Sequence, residues 1–196
     1  IVVALQQLAA PENPRRIVLR VASADSSRDL PDWLAAAGQE GDAVYSLEPR
    51  GIGGTRWTSE NPPNYVERSH VLLGRTVDTG RVWDVIATAR YLRAKHGGEI
   101  PVHVAGEGAA GMLAAYAALW EPEIDGVILG NPPLSHMEEN APQFLNVLRV
   151  CDVPEVLGML APRPLTVSGT ARQRLDKVAA IYSSAGDPGK LVIQAD

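Results

Sequence analysis

The stretch from Pro101 to Trp120 constrains this chain more than any other. Pro101-Val102-His103-Val104-Ala105 is a β-rich, alternating run that reads as a strand, and Met112 to Trp120 is an apolar, alanine-rich run that reads as a helix. Only Gly106-Glu107-Gly108-Ala109-Ala110-Gly111 stands between them. That leaves no room for a loop, so strand must turn into helix through a sharp bend of small residues. Glycine is the residue for such a bend, because it accepts left-handed backbone and lets two backbones approach closely. A strand that feeds straight into a helix is half of a βαβ unit, the building block of parallel sheets.

The rest of the chain repeats this alternation. Strands are predicted at Ile17–Val21, Ala43–Leu47, Val102–Ala105, Val127–Leu129, Leu165–Val167 and Leu191–Ile193. Helical patterns fall between them, at Leu30–Ala37 with Asp29 as N-cap, Val66–Leu73, Arg81 to about His96 with Asp78 or Thr79 as cap, and Ala171–Ser183. Ser135–Leu160 reads as mixed, with two short helices, and the Val2–Leu5 run as a further short element. The expected fold is α/β, a mostly parallel sheet with helices on both faces in a single domain over residues 1–196.

Composition excludes several classes. With 45% hydrophobic and 21% charged residues, the 196-residue chain is an ordinary globular domain. Its net charge of -5 offers no basic field for nucleic acid or an anionic membrane. No apolar run reaches the roughly 20 residues that cross a bilayer. Cys151 stands alone and reads as a structural thiol. No His, Cys, Asp or Glu spacing matches a zinc site, and Gly51-Ile52-Gly53-Gly54 has Arg56 where a dinucleotide fingerprint needs glycine. Neither a metal nor a cofactor is expected. The chain opens at Ile1 with no visible signal peptide, which reads as a processed product or a piece of a larger protein and leaves the compartment open.

Three segments resemble the α/β-hydrolases, and among them the acetyl xylan esterase and dienelactone-hydrolase-like carbohydrate esterases. Glu48-Pro49-Arg50-Gly51-Ile52-Gly53 is similar to a D-x-R-G-x-G loop, Gly106-Glu107-Gly108-Ala109-Ala110 to the G-x-S-x-G nucleophile elbow, and Ala161-Pro162-Arg163-Pro164-Leu165 to an A-P-R-P-L motif ahead of a strand. The resemblance implies an α/β-hydrolase-like sheet lacking the first strands of the full fold, with an exposed edge or a covering partner ahead of Ile17. Members of the family are often secreted.

The same resemblance locates what is missing. Acyl transfer needs a nucleophile, a base and an acid that orients the base. The nucleophile position is Gly108. The acid is expected after Val167, where Ser168-Gly169-Thr170-Ala171-Arg172-Gln173 holds no carboxylate. The family's histidine follows the last strand, where this sequence stops. No catalytic residue is assigned. Two residues compete for a chemical role against plainer readings: Glu107, a carboxylate at a helix N-terminus, and His136, in the loop after a strand with Glu138 and Glu139 nearby. His103 reads as a core residue, His70 as surface, His96 as a helix C-terminal residue, Arg50 as a tie between loops, and Trp33 and Trp57 as packing or carbohydrate-facing aromatics.

Three functions follow as expectations. The first is a catalytically degenerate hydrolase-like domain, structural or accessory to a carbohydrate-esterase-like protein. The second is an active esterase whose nucleophile and histidine come from another segment or chain. The third is a module that binds polysaccharide or protein.

Overall fold

The computed structural model describes residues 2–24, 26–27 and 29–194. A seven-stranded sheet runs in the order β1-β3-β2-β4-β5-β6-β7. The strands are β1 (Ala4–Ala9), β2 (Arg16–Val21), β3 (Asp42–Glu48), β4 (Val102–Glu107), β5 (Gly126–Gly130), β6 (Leu165–Ser168) and β7 (Leu191–Gln194). All neighbours pair in parallel except β1, which runs antiparallel to β3. The six expected strands are all present. Of the strands expected to be missing ahead of Ile17, one, β1, is there; it covers β3, so the exposed edge on that side is β1.

Burial follows from this order. Every residue of β2 and β5 is buried, as strands covered on both faces must be. One face carries Ile17, Leu19, Val21, Tyr45, Leu47, Val104 and Leu129 into the main core. Against it pack α3 (Val77–Lys95), α4 (Gly108–Trp120), α5 (Val153–Gly158) and α6 (Asp176–Ser184). The opposite face, with Val18, Val44, Ala105 and Ile128, packs on Trp33 and Leu34 of the short α1 (Asp32–Ala36). Helix α2 (Pro63–Leu72) buries none of its residues.

Two helix starts differ from expectation. Helix α1 begins after Pro31 without a side-chain cap, because the residue before a proline is held out of the helical region and Asp29 lies too far back. Helix α3 is capped by Thr76 rather than by Asp78 or Thr79. Thr76 Oγ1 accepts from Thr79 N–H at 3.2 Å, and Thr79 Oγ1 accepts from Thr76 N–H at 3.1 Å.

The seat of α4 on β4 is set by two glycines. A Cβ on Gly106 would lie 2.5 Å from the Ala110 carbonyl carbon, and one on Gly111 would lie 2.7 Å from the Gly106 oxygen. Neither neighbour is a flexible side chain. Gly106→Ala is therefore expected to lose about 2 kcal/mol or more in urea unfolding, the cost of forcing atoms into a packed contact.

At the other end of the sheet, His103 lies against Gly126. Burial, aided by the Arg16 charge, brings its pKa down to about 4 against the opposing pull of Asp125 and Asp42. The folded protein thus holds a neutral imidazole. As pH falls below the ordinary value of 6.5, the unfolded chain takes up a proton that the folded chain refuses until about pH 4. Stability contributed by the neutral ring is full above that window and is lost within it, by up to about 3 kcal/mol. Urea unfolding at pH 7 and pH 4.5 should show His103→Leu losing less stability on acidification than the parent; equal losses would contradict this.

Candidate functional site

Strand β4 ends at Glu107 and α4 begins at Gly108 with no residue between. Gly108 has φ +56°, the left-handed backbone that a sharp strand-to-helix bend requires. A Cβ built there meets nothing within 4 Å. The bend therefore holds open the place of a side chain that glycine does not have. Beyond it the α4 N-terminus is uncapped by any side chain, which leaves its first N–H groups without a partner in the helix.

Ala109 and Ala110 line a cleft of about 530 Å³ at the carboxyl edge of the sheet. The loop after β2 (Ala22, Ser23, Ala24), Trp57, Arg81 and Gln143 supply other walls. Trp57 lies over Gly51, whose φ of +76° and missing Cβ make room for the indole. Arg50 is not in the wall. Its Nε and backbone N–H donate to Asp84 Oδ2 at 2.9 and 3.0 Å, and a second guanidinium nitrogen reaches Oδ1 at 2.6 Å. The guanidinium crosses α3 at Gly80, where a Cβ would stand 2.5 Å from it. Arg50 thus ties the loop after β3 to α3, leaving Pro49 and Gly51 to face the cleft.

The residue that follows β6 is Gly169, and an amide from the end of β5 packs against it. Asn131, at φ 43° past β5, packs on Gly169 and takes the space of the Cβ that residue lacks. Its backbone N–H donates to Ser168 O at 2.9 Å, and its Nδ2 donates to Glu107 Oε1 at 3.0 Å. Glu107 is exposed and outside the cleft wall. Its charge favours the protonated form of buried Arg20, which desolvation opposes more strongly. Asp176, the first carboxylate after this region, opens α6.

His136 does not reach the bend. Its Nε2 lies 2.8 Å from the Tyr116 hydroxyl, and Phe144 packs at a tilt against Tyr116 and edge-on to His136. Tyr116 is eight residues beyond Gly108 on α4, about 12 Å along the helix axis. His136 pairs with neither Glu138 nor Glu139. Glu138 accepts from Leu134 N–H at 3.0 Å and faces Arg174 at 3.6 Å, while His136 N–H donates to Asp152 Oδ1 at 2.7 Å. Glu139 lies in the cleft wall, apart from the imidazole's hydrogen bonds. His70 bonds to Val66 O and His96 to the Tyr45 hydroxyl, each at 2.8 Å. Trp33 packs on Gly130, on the α1 side of the sheet. No histidine lines the cleft, and no metal-binding group of three or more ligands occurs among the described residues. Sequence reasoning missed the wall residues Ser23, Arg81 and Gln143, which come from three separate loops and helix ends and carry no motif.

The chain has an α/β-hydrolase fold. It superposes on a Bacteroides fragilis protein assigned as an acetyl xylan esterase with a TM-score of 0.69 at 15% identity, over 94% of this chain and 60% of that one. A family 15 carbohydrate esterase from Caldicellulosiruptor kristjansonii, a glucuronoyl esterase, gives 0.63 at 16% identity over 99% and 66%. A Klebsiella pneumoniae protein assigned as a dienelactone hydrolase gives 0.57 at 13% identity over 100% and 85%. This chain thus spans only 60% of the length of the first. No protein-family model and no curated protein sequence matches it.

Gly108 thus stands at the sharp bend where β4 passes into α4. Gly108→Ser should fold, because the space for the side chain is empty. It should lose about 1 kcal/mol in chemical denaturation for placing a non-glycine residue at φ +56°.

Proposed function

We propose that this domain is a catalytically silent α/β-hydrolase-like unit, structural or accessory within a carbohydrate-esterase-like protein. One observation carries the reading: the elbow keeps its left-handed backbone and its open side-chain space at Gly108, with no nucleophile in either. The stretch Ser168–Gln173 after β6, which holds no carboxylate, and His136, held two helical turns away by Tyr116, support it. The α4 N-terminus has no side-chain cap, and its first-turn residues Ala109 and Ala110 line the cleft, where uncapped N–H groups would suit an anion. Donors alone lower a barrier only for a nucleophile that is delivered to them.

A second reading, a binding module, is favoured by the cleft itself. A cavity of about 530 Å³ beside the elbow, with Trp57, Arg81 and Gln143 in its wall, is large enough for a sugar-sized ligand. The alternative of an active esterase completed by another chain or segment requires a serine and a histidine to enter that cleft from outside.

Turnover of p-nitrophenyl acetate by the purified domain tests the reading. No rate above the buffer reaction is expected, and Gly108→Ser should remain within background because no histidine lines the cleft to take the hydroxyl proton. A substantial wild-type rate that is abolished by a substitution in the cleft wall would overturn it.

A further inference from the structure

Helix α3 packs on the sheet with one face, and its opposite face meets solvent. Between Val82 and Ala94 its exposed residues are Trp83, Ala87, Arg90, Tyr91 and Ala94. Four of them, Trp83, Ala87, Arg90 and Ala94, recur at intervals of four, three and four residues, the spacing of a seam between two packed helices. Tyr91 flanks that seam. Arg90 donates to the buried Glu121 carboxylate, which brings the end of α4 and its exposed Trp120 alongside. None of these residues lines the elbow cleft.

The area on offer is close to what a stable contact needs. Trp83, Tyr91 and Trp120 are 61%, 57% and 74% exposed. Large aromatics bury roughly 150–250 Å² each, so these three still present on the order of 400 Å² to water. Two copies face to face would bury about 800 Å² from these side chains alone, and a specific interface needs about 1,200 Å². Ala87, Arg90, Ala94 and the helix flanks make up the rest. Charge does not oppose the contact. Arg90 is the one charged residue of the seam, and Glu121 neutralises it within its own chain. Of the flanking cations, Arg93 pairs with Asp125, and Lys95 turns back over the Tyr45 ring, 5.0 Å from its centroid.

We propose that two copies of this chain pair through this face, α3 against α3, antiparallel about a two-fold axis. The stripe is complementary to itself in that arrangement. An axis passing between Thr88 and Ala89 sets Trp83 of one protomer on Ala94 of its partner, and Arg90 on Ala87, so a large side chain meets a small one at every level. The alanines let the helix axes approach to roughly 8–10 Å, the usual packing distance. A parallel pair would set Trp83 on Trp83 and leave alanine on alanine. A partner of another kind has no reason to mirror the stripe, and the mirror pattern is what points to a second copy. The contact does not rest on the elbow's chemistry and stands whether or not the domain is silent.

Sedimentation equilibrium of the purified chain tests this. A reversible monomer–dimer equilibrium is expected. Trp83→Lys and Ala94→Glu, both at exposed positions, should keep the parent's circular dichroism and urea midpoint and should each weaken the dimer by about tenfold or more. Mixed in equal amounts, the two variants should pair with each other. The mixed dimer sets the new ammonium of one on the new carboxylate of the other and keeps the parent Trp83–Ala94 contact at the far end. Leu72→Lys, on the exposed α2, should leave the dimer unchanged. A parent that stays monomeric at every concentration would assign the face to a different protein and overturn the proposal. So would a dimer that survives Trp83→Lys, one broken by Leu72→Lys, or variants that fail to pair on mixing.

Discussion

The contact between Gly106 and Gly111 sets the rest of this structure. With no Cβ on either residue, the first turn of α4 rests on the backbone of β4 and the strand passes into helix at Gly108. This fixes where the helix's unpaired N–H groups point, and it opens the cleft at the carboxyl edge of the sheet, where open α/β sheets present their ligand sites. The surrounding parts hold that edge in place. Arg50 clamps one wall to Asp84 on α3, and Asn131 bridges β5, β6 and Glu107. Arg163 donates to Ala118 O at 2.6 Å, binding the far end of α4 to the segment ahead of β6.

A hydrolase elbow usually carries a strained side chain, and the strain serves the nucleophile. Glycine at Gly108 keeps the bend without the strain, so the geometry of the site no longer depends on a reactive group. Geometry and reactivity are separable here because backbone conformation and packing hold the elbow in shape. The cleft beside it stays open at the carboxyl edge of the sheet.

Much of the fold was legible in the sequence, because Val, Ile and Leu runs bounded by Gly and Pro mark buried parallel strands clearly. β1 was less so: Ala-Leu-Gln-Gln-Leu-Ala has no β-branched residue, and its pairing with β3 is a long-range event. The elbow was legible for the reason that makes it rigid, its glycines. The surroundings of His136 were not. Nearness in sequence suggested Glu138 and Glu139, whereas Tyr116 and Asp152 are its partners through the packing of α4 and α5.

The central claim is that the elbow has the shape of a nucleophile's seat and no nucleophile in it. Intact-mass measurement of the wild-type domain after prolonged exposure to a fluorophosphonate tests this most directly, because the reagent reports an activated hydroxyl without requiring the correct substrate. The account predicts unmodified mass. A stoichiometric adduct mapped to any residue lining the cleft beside Gly108 would contradict it.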